Sequence, residues 1–269
     1  MKDRTPISEI KRRAKEQLLG NYSIAIVSFV ILFAFMYLVM SLLSSGAANL
    51  AFAGRVGAEG ITVEQVEAIM SNKQTAMLLN VLMYIVLAIA SPLMAIASTG
   101  YLYICREISY GRPVSSSGLF VCIKNHPDKV IIISLITYVI TVITGLPANI
   151  YSENAANGDV GMQEILIYVI LLVLGAIIRV IFTFAISQSY LIYLENPLNS
   201  AIDDIKASVR IMKGNMWRYF CLMISFIGYY LLAVLSLGVA MLWIMPYQEV
   251  SKVDFYRDIK ERGSFDYRV

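Results

Sequence analysis

The run from Tyr22 to Ser44 carries no charged side chain. At 1.5 Å per helical residue it is long enough to cross the roughly 30 Å of hydrocarbon in a bilayer. Further apolar stretches over residues 75–105, 130–150, 162–194, 217–236 and 238–257 follow it, so six membrane helices are expected. With 58% hydrophobic and only 15% charged residues, the chain is too apolar for an ordinary soluble domain. The expected fold class is all-α: a polytopic protein in which one membrane domain is built from three helical hairpins. Outer loops are expected over 45–74 and 151–161, the first with a short helix capped by Thr62 and Gln65. Because the first apolar run lies behind about twenty polar residues, it reads as a retained helix rather than a cleaved signal.

Each hairpin has a lead-in. Residues 2–20 place Ile7, Ile10, Ala14, Leu18 and Leu19 on one helical face, with Lys11, Arg12, Arg13 and Lys15 around the rest. That is a basic amphipathic helix suited to an anionic leaflet. Residues 199–213 repeat the design with Ile202, Ile205, Val209 and Met212 opposite Asp203, Lys206, Arg210 and Lys213. A weaker version, Leu119, Phe120 and Ile123, precedes Lys124-Asn125. Gly20-Asn21 and Gly214-Asn215 break the two clearer helices, and Tyr22 and Trp217 then anchor the next span at the water boundary. The architecture expected is a threefold unit of interfacial helix plus hairpin.

Charge sorts the connections by side. Nineteen of the twenty-two Lys and Arg residues fall in 1–21, 105–129, 206–218 or after 251. Basic loops are retained on the inner side, so both termini are expected in the cytoplasm. Cys105, Cys122 and Cys221 form no metal-ligand spacing and read as small apolar residues.

Several motifs carry a family resemblance. Lys213-Gly214-Asn215-Met216-Trp217-Arg218, Ser225-Phe226-Ile227-Gly228, Leu237-Gly238, Leu242-Trp243, Pro246-Tyr247 and Phe255-Tyr256-Arg257 resemble the C-terminal signature of an uncharacterised family of bacterial multi-pass membrane proteins, domain of unknown function 975. The segment from Ile7-Ser8-Glu9-Ile10-Lys11 to Gly20-Asn21 is similar to it as well. The resemblance covers nearly the whole chain and implies a Gram-positive-type cytoplasmic membrane protein. It implies no established activity.

Arg179 is the one basic residue within a continuously apolar part of an expected span, which makes it a candidate site because its insertion costs on the order of 3 kcal/mol. Helix arithmetic brings Asp254, and less closely Glu249, to its depth, so Arg179, Glu249 and Asp254 form the candidate intramembrane polar site. The alternative is that Arg179 snorkels to the inner headgroups. The last span is unusual, since Gln248, Glu249, Ser251, Lys252 and Asp254 follow a short apolar start. Either its polar half faces a cavity in the bundle, or it leaves the membrane early and packs on the inner ends of the second and fourth spans. Pro92 and Pro246 are kinks or hinges. His126, the sole histidine, reads as a surface residue, and no nucleotide-loop, zincin or serine-hydrolase motif is present.

These features point to a non-enzymatic protein without cofactor or metal, in contact with anionic lipids and with another membrane protein or peptide, and not with nucleic acid. An interaction or envelope-support role is expected, such as protection against membrane-active peptides. The alternative is a small transporter or lipid-handling protein.

Overall fold

The computed structural model describes residues 4–51, 73–155 and 161–263. Two long antiparallel pairs dominate. α2 (Tyr22–Ala51) packs on α3 (Lys73–Ser109), α5 (Pro127–Ala155) packs on α6 (Met162–Ile186), and α3 also packs on α5. A 3-10 turn (Ser116–Phe120) and the short α4 (Val121–Lys124) join the pairs. After α6 come α7 (Ser189–Glu195), α8 (Ala201–Met212), the broken pair α9 (Met216–Ile224) and α10 (Ile227–Leu235), and finally α11 (Met241–Gly263). No strand occurs among the described residues.

Five segments are long and apolar enough to cross a membrane: Tyr22–Gly46, Met77–Ser109, Pro127–Tyr151, Met162–Glu195 and Met216–Leu235. Their outer surface is also that of a membrane protein. α6 buries only Gly175, Ala185 and Ile186, and leaves Leu166, Leu172, Leu174 and Phe182 among a continuous exposed apolar face. A patch of that extent is unstable against water.

The sixth expected span, 238–257, is not among the five. Beyond Tyr247, α11 is wrapped by protein: Val250, Val253, Phe255 and Tyr256 are buried. Asp254 accepts from Ser109 Oγ at 2.6 Å, where α3 ends, and Tyr256 and Lys260 donate to Glu195 at 2.7 and 2.6 Å, where α7 ends. Of the two readings of this polar half, packing on the ends of the second and fourth spans is the one found for residues from Asp254 onward. The expected outer loops are also shorter at their edges, since α2 runs to Ala51, α3 starts at Lys73 and α5 reaches Ala155. The Thr62 and Gln65 cap lies outside the described residues.

α1 (Ile7–Leu18) buries Ile10, Ala14 and Leu18 against α11, α3 and α9, as its apolar stripe requires. Both Gly-Asn breaks close in the same way. Gly20 and Gly214 take φ of 87° and 84°, the left-handed region that glycine enters without penalty. Asn21 and Asn215 then donate their side-chain amides to Gln17 O and Ile211 O, at 3.3 and 3.0 Å. In the third connection the left-handed residue is His126, so that break is built differently.

Two expected apolar faces are turned. α8 buries Ala201, Asp204, Ser208, Ile211 and Met212, while Ile202 and Val209 face outward. Polar bonds set this orientation: Ser208 Oγ donates to Ala185 O at 2.7 Å and accepts from Gln188 N–H at 3.1 Å, joining α8 to the α6–α7 break. In the other connection Leu119 and Cys122 are buried, and Phe120 and Ile123 are exposed.

Candidate ligand-binding cavity

Where α2 and α3 meet α6, α7 and α11, the helices line a half-open cavity of about 400 Å3. The long apolar helices supply its walls through Phe29, Leu32 and Met36 of α2, Leu102 of α3, Ile186 of α6 and Met245 of α11. Polar side chains line it as well, among them Thr99, Thr137, Thr183 and Tyr190. Glu249 and Lys252 sit one helical turn apart on α11 and pair at 2.6 Å, both largely shielded from solvent. Ser187 and Gln188, at the α6–α7 break, and Tyr219 of α9 also border the cavity. Tyr219 is held by an edge-on contact with Phe184 (centroids 5.0 Å apart) and by Phe255 (5.3 Å).

The Gln188 amide is unevenly satisfied. Its Nε2 donates to Ser187 Oγ at 2.8 Å, whereas its buried Oε1 has no hydrogen-bond partner. A buried acceptor left unpaired costs about 1–3 kcal/mol, and because Oε1 has almost no accessible surface, a donor in the cavity reaches it only if the Gln188 side chain turns. Lys252 has three N–H donors and one carboxylate, which leaves donors for an anionic guest. A largely apolar cavity that also presents hydroxyls and a zwitterionic pair has the chemistry to hold an amphiphile.

Of the three residues expected to form a polar site, the structure brings none to another. Glu249 borders the cavity and pairs with Lys252. Asp254 lies one turn further along α11, between Ser109 and Arg257. Arg179 faces α5, its Nη2 3.9 Å from the place a Cβ on Gly145 would take. Depth counting failed because it assumed α11 to be a neighbour of α6, while α11 packs on α1, α2 and α3, and α6 on α5, α8 and α9. The anchors behave as separate local features: Tyr22 is half-buried at the start of α2, and Trp217 is exposed beside Phe220. Sequence reasoning missed Lys252, Gln188 and Ser187. The signal for the first was the Glu249–Lys252 spacing on a helix that is apolar before it; the others lie in a helix break that apolar periodicity does not reveal.

The described residues form an all-helical protein whose five long apolar helices suggest a membrane protein, with a half-open, ligand-sized cavity among them. The chain belongs to a family described as "Protein of unknown function (DUF975)", whose model it matches over residues 1–263. No curated protein and no solved structure matches it.

Proposed function

We propose that this protein is a lipid-handling component of the bacterial cytoplasmic membrane that binds a single-chain amphiphile inside its helical bundle. The observation that carries the reading is the 400 Å3 cavity, whose largely apolar lining includes the Glu249–Lys252 pair. Its volume is near the small end of ligand pockets, which fits one hydrocarbon chain better than two. The anionic head of the guest would take the free donors of Lys252, a head hydroxyl would donate to Gln188 Oε1, and the chain would lie along Phe29, Leu32 and Met36. An interaction or envelope-support role remains compatible with the fold, but it has no use for an internal chamber.

The placement we propose in the bilayer is supported by packing and charge. Thr5 Oγ1 donates to Asp258 at 2.6 Å and Arg218 bridges Thr5 O and Asp258, so the segment leading into α1 and the last turns of α11 share one face of the bundle. The basic loops make that face the inner one. α2, α3, α5 and α6 are then the four full crossings, while Met216–Leu235 is broken at Ser225-Phe226, where Lys11 of α1 donates to Ser225 O, and is not a fifth in this reading. Lys11 of the interfacial helix lies 5.8 Å from the Tyr247 ring centroid, and nine residues separate Tyr247 from the turn at Gly238. Nine residues rise about 14 Å, half of the hydrocarbon thickness. The α10–α11 hairpin is therefore re-entrant, and both termini remain inside.

Equilibrium binding of a fluorescent fatty acid to the purified protein tests the reading. Met245→Trp, which fills the chamber, is expected to abolish saturable binding. The pair Lys252→Ala and Glu249→Gln, made together so that no carboxylate is stranded, is expected to weaken binding by about tenfold or more. Unchanged affinity in both variants would refute it.

A further inference from the structure

The basic residues of α1 divide into two groups. Arg12 and Arg13 point outward and are neutralised by their own helix: Arg12 bonds Glu9 at 2.8 Å and Glu16 at 2.5 Å, and Arg13 bonds Glu9 at 2.9 Å. Lys11 and Lys15, one turn apart, lie toward the α10–α11 hairpin, and neither forms an ion pair among the described residues. Lys11 is held by donation to Ser225 O at 2.9 Å and by the rings of Phe226 and Tyr229, 4.4 and 4.8 Å from its ammonium. Its charge is fixed in place without a counter-ion.

Beside it a second cavity, of about 310 Å3, opens between Lys15, the start of α2 and the hairpin. Tyr22, Tyr229 and Tyr247 line it, and their phenols lie near enough to interact electrostatically with one another. Leu232 and Trp243, each about half exposed, continue it as an apolar bed along the hairpin. An unpaired ammonium, a second one close behind, hydroxyl donors and then an apolar bed form the profile of a leaflet's own anionic lipid, from headgroup to chain.

We propose that this groove holds one anionic phospholipid from the inner leaflet, its phosphodiester on Lys15 with donation from the Tyr22 and Tyr229 hydroxyls, and an acyl chain on Leu232 and Trp243. The site is separate from the bundle cavity, and the inference rests on membrane placement alone, not on the amphiphile reading. A lipid bound there would tie the interfacial helix to the hairpin.

Native mass spectrometry of the delipidated full-length protein, titrated with phosphatidylglycerol or phosphatidylcholine in mild detergent, tests the site. One phosphatidylglycerol is expected to be retained in preference to phosphatidylcholine. Lys15→Gln is expected to weaken it about fivefold, the loss of one basic contact at a lipid surface, and adding Tyr22→Phe to weaken it further. Arg12→Gln, which removes equal charge from the outward face, and Met245→Trp, which fills the other cavity, are expected to leave it unchanged. Equal retention of phosphatidylcholine, equal loss in Arg12→Gln, or unaltered binding in the Lys15→Gln and Tyr22→Phe double variant would overturn the proposal. Displacement of the lipid by millimolar inorganic phosphate would also overturn it, by showing a small-anion site.

Discussion

Asp204 is the sharpest test of how the connection between α7 and α9 is built. It lies in the first turn of α8, fully buried, and neither carboxylate oxygen meets hydrogen-bond geometry. Burial pushes its pKa up to about 6. Asn199 and the Lys129 ammonium act the other way and only partly offset burial, and Asp203 adds to the rise. The Tyr193 phenol, also near, donates to Asn125 O, and Lys129 donates to Pro197 O. Because the folded pKa lies above that of the unfolded chain, the native state binds the extra proton between the two. Stability therefore falls as pH rises from about 4 to about 6, and the cost is fully present above that window. A shift of this size corresponds to about 3 kcal/mol, or about 2 once screening near the water boundary is allowed for. Asp204→Asn removes the titrating group at nearly constant shape. In thermal unfolding of the detergent-solubilised protein, the variant is expected to match wild type near pH 4 and to exceed it at neutral pH by that amount, the gap opening across the window. A gap independent of pH, or a variant less stable at neutral pH, would refute the reasoning.

Three other substitutions probe the packing. A Cβ on Gly175 would stand 2.3 Å from Thr144 O, so Gly175→Ala must part α5 and α6 by roughly 1 Å and is expected to cost about 1–3 kcal/mol in a thermal-shift assay. Arg218 and Asp258, each about one-tenth exposed, pair at 2.9 Å; Arg262 and Thr5 also bond Asp258, so Arg218→Ala is expected to destabilise by about 2 kcal/mol rather than the full cost of a stranded carboxylate. Arg179→Leu, on the exposed face of α6, is expected to give folded protein with membrane insertion as good as or better than wild type, measured by membrane-fraction yield. Loss of folded protein would return Arg179 to a structural pairing.

The long helices and the buried stripe of α1 were legible because both rest on properties a linear sequence carries, namely length of apolar run and a 3.6-residue stripe. The Gly20-Asn21 and Gly214-Asn215 breaks were legible for a similar reason, since a left-handed glycine followed by asparagine is a local signal. α8 was misread because its orientation is set by Ser208, which bonds backbone atoms twenty and twenty-three residues earlier and outweighs the exposure of Ile202 and Val209. The candidate site failed at the same level. Pairing Arg179 with Asp254 needs knowledge of which helices are neighbours, and apolar helices in lipid carry little of it, because hydrocarbon rewards any apolar face equally. Only Glu249 survived as part of the cavity, and its partner proved to be Lys252 on its own helix.

The central claim, an amphiphile inside the bundle, is tested most directly by photo-crosslinking. A fatty acid with a diazirine on its chain would be bound to the purified protein, irradiated, and the adducts mapped by peptide sequencing. The account predicts adducts on Phe29, Leu32, Met36 and Leu102, suppressed by Met245→Trp. Adducts confined to the exposed face of α6, at the same yield in wild type and variant, would contradict it.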